Sequence, residues 1–151
     1  MEVGGQRIPT RTLTNIDLLH YAHSLKIPHF KGVYMRDQLN KPLHSRECGI
    51  MNFNKSTQSG THWVCWVKRK RTRIYFDSFG QHVPRELTKY LKTEKEFKKR
   101  IPCIRRNVVI VQHINTSECG GLCLYVLYSL MCKHLPYEKV ITQLQKRYNA
   151  T

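Results

Sequence analysis

Acidic residues are scarce in this chain. Its 151 residues carry 26 lysines and arginines against 10 aspartates and glutamates, a formal net charge of +16. That balance excludes an acidic, solvating tail and favours long-range attraction to polyanions, with strong salt dependence. Long apolar runs are missing too: the longest, Gly120 to Cys132, is too short to cross a bilayer. The N-terminal MEVGGQRIPT lacks the apolar centre of a signal peptide. No repeat or low-complexity linker interrupts the chain. The six cysteines, at 48, 65, 103, 119, 123 and 132, lack the even spacing of a secreted disulfide scaffold. With 40% hydrophobic residues there is material for one core, so the sequence predicts a single domain over 1–151. We expect a monomeric intracellular protein with reduced thiols and no membrane contact.

The positive charge is clustered. Lys68, Arg69, Lys70 and Arg71 form one group, Lys98, Lys99 and Arg100 a second, and Arg105 and Arg106 a third. Any one cluster reads as a solvated surface, but the total points to nucleic-acid contact as a secondary property, with these nine residues as DNA-binding candidates.

Thr14 is placed to cap a first helix over 15–25, with Leu18, Leu19, Ala22 and Leu25 on one face and Asp17 in its first turn. Residues 27–42 read as loop with one short strand. Strands are expected at 50–53, 61–68 and 73–79, the last two joined by the basic turn. A charged amphipathic helix follows Pro84 over 85–99, then a buried strand over 108–112. An apolar helix over 121–134 and an amphipathic one over 137–148 complete the chain. Strands and helices mix without βαβ alternation, which predicts an α+β fold.

Four residues suit nucleophilic chemistry. His62 begins one strand of the hairpin and Asp77 ends the other, so antiparallel pairing brings them opposite each other. The carboxylate would orient the ring and favour the imidazolium. Cys119 precedes Gly120-Gly121 and an apolar helix, where the helix dipole favours negative charge on the sulfur. Gln112 and the backbone N–H of Cys119 would form an oxyanion hole, and Gly120 would let substrate approach the backbone. A cross-strand polar pair and buried structural thiols are the plain alternative, and the plain reading is taken for Cys65, Cys123 and Cys132. A zinc site from Cys119, Cys123 and His113 would fit helical spacing, but no CxxC pair supports it, and no metal is assigned.

The order His62, Asp77, Gln112, Cys119, with HW at the histidine, DSFG at the acid and QxxxxxxCG at the nucleophile, resembles the adenain family of maturation proteases. That family is related to the SUMO-processing cysteine proteases. The resemblance runs from the first helix to about Met131 and implies a papain-like core, a mixed central sheet flanked by helices. It implies His62 as base, Asp77 as orienting acid, Gln112 as oxyanion donor and Cys119 as nucleophile. Asp77 as the acid matches the SUMO-processing branch, whereas the viral branch often has Glu. Trp63 would shield the ring or line a substrate channel, with a core aromatic as the alternative. Cys103 stands roughly where adenovirus proteases bond an activating peptide, though its spacing to Gln112 differs and a structural thiol is the alternative. The implied function is a cysteine endopeptidase cutting viral or virus-derived capsid precursors after Gly. No cofactor is needed for the chemistry, DNA and a peptide are the candidate activators, and the host nucleus or the virion is the expected location. A ubiquitin-like-protein isopeptidase, and a basic nucleic-acid-binding domain with a degenerate site, are the rival readings.

Overall fold

The runs RECGIMN and WVCWVKR are buried along almost their whole length, and strands of that kind need cover on both faces. In the computed structural model, which describes residues 1–55, 57, 62–92 and 104–150, they lie at the centre of a sheet. A short ribbon of β1 (Glu2–Val3) and β2 (Gln6–Arg7) comes first in the chain. The main sheet follows the order β3 (Phe30–Tyr34), β4 (Arg46–Asn52), β5 (Trp63–Arg69), β6 (Thr72–Phe76), β7 (Ile104–Arg106). Its inner pairs β4/β5 and β5/β6 are antiparallel, and its outer pairs β3/β4 and β6/β7 are parallel.

Alternation along β5 divides the core in two. Trp63, Cys65 and Val67 face the larger cluster, with α1 (Asn15–Ser24) and α3 (Cys119–Met131). Val64 and Trp66 face the smaller one, closed by α2 (Arg85–Tyr90) through Leu87, Tyr90 and the adjoining Leu91. Helix α3 reads CGGLCLYVLYSLM, has almost no polar face, and is accordingly buried against β5. Helix α4 (Tyr137–Asn149) has a clear polar face and packs on α3 through Val140 and Leu144. The expected α+β arrangement, a mixed sheet flanked by helices, is the one present.

The predicted cap of α1 is a full capping box. Thr14 Oγ1 accepts from Asp17 N at 3.1 Å, and Asp17 Oδ2 accepts from Thr14 N at 2.9 Å. Two other expectations are corrected. The helix expected over 85–99 ends as α2 at Tyr90, and residues 93–103 lie outside the described residues. The strand expected over 108–112 is a loop, and the strand nearest to it is β7 at 104–106. The reason is Asn107. Its amide accepts from Asp77 N at 3.1 Å and donates to Asp77 O at 2.6 Å, taking the place of a neighbouring strand's peptide. The chain then turns away, leaving Val108 and Ile110 68% and 51% exposed where the apolar pattern predicted burial.

In β4, Gly49 lies opposite Trp66, whose indole N–H is anchored on the buried Glu47 carboxylate at 2.9 Å. A Cβ at position 49 would fall within 2.5 Å of Trp66 Cζ2. We therefore predict that Gly49→Ala destabilises the protein by about 1–3 kcal/mol through overpacking. An unchanged urea midpoint would show that this ring can move aside.

Candidate active site

His62 immediately precedes β5 and Asp77 immediately follows β6, so both stand at the same end of the central hairpin. His62 Nε2 lies 2.8 Å from Asp77 Oδ1, with side chains 12% and 0% exposed. The predicted partners are correct and the predicted register is not. The ladder pairs Cys65 with Phe76 and continues to a two-residue turn at Lys70-Arg71, which would set Phe79, not Asp77, opposite His62. Asp77 is thus the diagonal neighbour, two residues along on the same face, a distance that a carboxylate and an imidazole can bridge. Phe79 occupies the opposed position and lies against the His62 ring, with centroids 4.9 Å apart, and Phe53 flanks it at 6.0 Å.

The acid is held rigidly. Asn107 clamps its backbone, and its Oδ1 also accepts from Phe79 N at 2.8 Å. Asp77 Oδ2 is buried without a hydrogen-bond donor among the described residues. A buried carboxylate this poorly satisfied favours a cation beside it. Burial works against charge on His62, but the hydrogen bonds and charges of Asp77 and Cys119 outweigh it and raise the imidazole pKa from 6.5 to about 9. Because Nε2 is occupied by Asp77, Nδ1 is the ring nitrogen left for the Cys119 sulfur.

Cys119 is the first residue of α3 and is 4% exposed, so its own backbone N–H precedes the helical hydrogen-bond ladder. Gln112 approaches from the loop after β7. Its Oε1 accepts from Ser78 Oγ at 2.5 Å, and its Nε2 donates to Thr116 O at 3.0 Å. The Thr116 carbonyl, which can only accept, therefore fixes Nε2 as the donor end of the amide, and one Nε2 hydrogen has no protein acceptor among the described residues. The turn Asp77-Ser78-Phe79-Gly80 joins the two halves of the site: Ser78 O also accepts from Val111 N at 2.9 Å. Gly80 is at φ +66°, where a Cβ would meet Val108 O at 2.6 Å, so only glycine lets the two segments approach this closely.

The structure thus brings together His62 and Asp77 beside the ends of β5 and β6, Cys119 at the start of α3 and Gln112 in the loop after β7. Other candidates fall elsewhere. Trp63 belongs to the larger core and donates from Nε1 to Leu13 O at 2.8 Å; the rings beside His62 are Phe79 and Phe53. Trp63 also lines a cavity of about 360 Å³ with Thr12, Leu13, Val33 and Asn52. Gly120 does not open the backbone to substrate: a Cβ there would meet Leu13 and Leu18 at 3.2–3.3 Å, so it serves close packing of α3 on the α1 segment.

The basic residues divide as well. Lys68 is buried and donates to Lys70 O, Arg69 donates to Leu130 O, and Arg106 donates to Gly80 O. Arg105 is paired with Glu138. Lys70 and Arg71 are exposed at the hairpin tip. Lys98, Lys99, Arg100 and Cys103 lie outside the described residues. His113 stacks on Tyr148, and among the described residues no three His, Cys, Asp or Glu side chains converge as metal ligands. No described helix is long and apolar enough to cross a membrane.

No family model matches this chain, and no curated protein matches it in sequence. Its likeness is three-dimensional. One structure of the ASFV pS273R protease superimposes with a TM-score of 0.57 at 17% identity, over 92% of this chain and 65% of that one. A second structure of that protease gives 0.53 at 19%, over 92% and 64%. The SUMO protease Ulp1, solved with its catalytic cysteine oxidised to a sulfinic acid, gives 0.50 at 16%, over 90% and 75%. The fold is that of the SUMO-protease-like cysteine proteases. The chain spans less than two thirds of the length of the ASFV protease.

The reading from sequence missed Ser78, Asn107 and Phe79 as parts of this site. Ser78 and Phe79 were visible inside DSFG, whereas nothing local to Asn107 signals that it clamps a residue thirty positions away.

The His62 shift has a consequence for stability. A histidine whose pKa is raised by folding stabilises the protein fully below about 6.5, and that stabilisation is lost as pH rises through about 9. Unfolding free energy should therefore fall by about 3 kcal/mol across this window. In Asp77→Asn the fall should be clearly smaller, with the part due to Cys119 remaining. Denaturation curves with the same pH slope for both proteins would contradict the pairing.

Proposed function

We propose that this chain is a cysteine endopeptidase of the adenain type, cutting capsid or other precursor polyproteins of a virus or virus-derived element after glycine. The observation that carries the reading is the convergence of an imidazole on a buried carboxylate, a thiol at a helix N-terminus and an oriented amide, on a fold shared with cysteine proteases. The Cys119 thiolate attacks the scissile carbonyl carbon, forming a C–S bond and placing negative charge on the carbonyl oxygen. Gln112 Nε2 and the Cys119 backbone N–H receive that charge. The His62 imidazolium protonates the leaving nitrogen, and the C–N bond breaks. His62, now neutral, takes a proton from water as its oxygen attacks the thioester. The C–S bond then breaks, the carboxylic acid is released, and the Cys119 thiolate is restored beside the His62 imidazolium.

Glycine preference follows from approach distance. An extended substrate residue without Cβ can approach the Cys119 thiolate and the oxyanion donors most closely. The likeness to Ulp1 favours a second reading with the same chemistry, an isopeptidase that releases a ubiquitin-like modifier. Cleavage of a SUMO conjugate measured beside glycine-containing precursor peptides separates the two.

Cys119→Ala should abolish cleavage while leaving the unfolding midpoint nearly unchanged. Gln112→Ala should lower kcat on the order of 100- to 1,000-fold with little change in KM. Residual cleavage by Cys119→Ala would overturn the nucleophile assignment, and a raised KM at normal kcat would make Gln112 a binding residue instead.

A further inference from the structure

Residues 113–118 join the oxyanion donor to the nucleophile, and positions 113–117 are exposed. An exposed loop does not by itself hold two side chains in register, so something outside it has to. Here it is the closing turn of α4. Glu118 is the N-cap of α3 and directly precedes Cys119, yet its carboxylate makes no capping bond to the helix. It accepts two hydrogen bonds from the Arg147 guanidinium instead, at 3.1 and 2.8 Å. The next residue, Tyr148, stacks on His113 with centroids 4.1 Å apart and planes at 20°, and its carbonyl lies 3.2 Å from His113 Nε2. His113 O in turn accepts from Thr116 N and Oγ1, and Thr116 O accepts from Gln112 Nε2. Both ends of the loop are thus tied to consecutive residues of one helix.

The charge matters as much as the geometry. A carboxylate one residue from a thiolate competes with it for the same positive helix end and repels it. The groups facing Glu118 are Arg147, His113 and the Met1 amino group. Those facing Cys119 are His62, with Asp77 behind it, and the buried Cys123. Among the described residues, Arg147 is the cation hydrogen-bonded to Glu118, at a part-buried position where its charge is felt over a few ångströms.

We infer that the last turn of α4 positions the active site, Arg147 acting through Glu118 on the charge of Cys119, and Tyr148 acting through His113 on the loop that holds Gln112. The inference rests on Cys119 being the nucleophile. Neither residue touches the reacting atoms, so both are positioning residues.

The test is the rate of Cys119 alkylation by iodoacetamide across pH on the intact chain, with the labelled residue located by mass spectrometry. Arg147→Gln should move the midpoint of the pH–rate curve upward and slow labelling near neutral pH by about three- to tenfold. Adding Glu118→Gln should restore it by removing the stranded carboxylate, and Arg147→Lys should keep most of the wild-type midpoint. Glu118→Gln alone should not raise the midpoint, which keeps the test open if Arg147→Gln fails to fold. Mere loosening of the helix would lower the unfolding midpoint and would not be repaired by Glu118→Gln. An unchanged curve in folded Arg147→Gln, or a double variant no better than the single, overturns the inference and leaves the nucleophile in place. A wild-type Cys119 that labels no faster than an ordinary thiol overturns the protease reading and this inference with it.

Discussion

A carboxylate sealed from water has to be answered by a positive charge, and this requirement shapes the site. Asp77 is fully buried, and one of its oxygens has no donor among the described residues. Hydrogen bonds to backbone N–H groups offset part of the cost of burying a charge, and an adjacent imidazolium offsets more. His62 answers it at 2.8 Å, and the price is a histidine that keeps its proton to about pH 9. The same interaction that makes the buried charge tolerable therefore also places a proton donor beside a thiol.

The hairpin cannot deliver this alone, because its ladder opposes His62 to Phe79. The diagonal reach to Asp77 holds only because Asp77 is fixed from the other side. Asn107 grips its backbone at both N and O, and Tyr137 from α4 donates to Tyr75 O in the strand just before it. The DSFG turn then carries Ser78 under Gln112, so that one turn sets both Asp77 and Gln112. Cys119 comes from the opposite side, on a helix buried because its sequence offers almost no polar face. Gly120 and Gly121 bring that helix close to the N-terminal segment, against Leu13, Leu18 and Ile8. Burial on two faces of the sheet and close packing at one helix end therefore fix three chain segments whose sequence separation is large.

Chemistry was more legible in the sequence than geometry. Cys119, Gln112, His62 and Asp77 were legible through their order and through HW, DSFG and QxxxxxxCG. The hairpin register was not legible: the turn Lys70-Arg71 carries no Asn-Gly or Gly signal, although Lys70 sits at φ 52°. The strand expected at 108–112 failed because alternation reports apolarity and not what covers it, and here an asparagine side chain replaced the neighbouring strand. Gly120 was read as access to substrate when it is close packing, a distinction that depends on Leu13 and Leu18, about a hundred residues earlier in the chain. All of the first basic cluster was read as surface, yet Lys68 lies along the buried sheet with its ammonium turned back to Lys70 O. Long side chains hide in this way without leaving a mark on composition.

The central claim is that the environment of Cys119, and not its exposure, makes it reactive. Cys119 is buried, whereas Cys132 is the most exposed of the described cysteines and its thiol pKa is raised by burial. Limited alkylation with less than one equivalent of iodoacetamide near neutral pH, followed by peptide mapping, sets the two against each other. The account predicts that label accumulates on Cys119 first, and that His62→Ala abolishes the preference. Label distributed by exposure, with Cys132 ahead of Cys119, would contradict it.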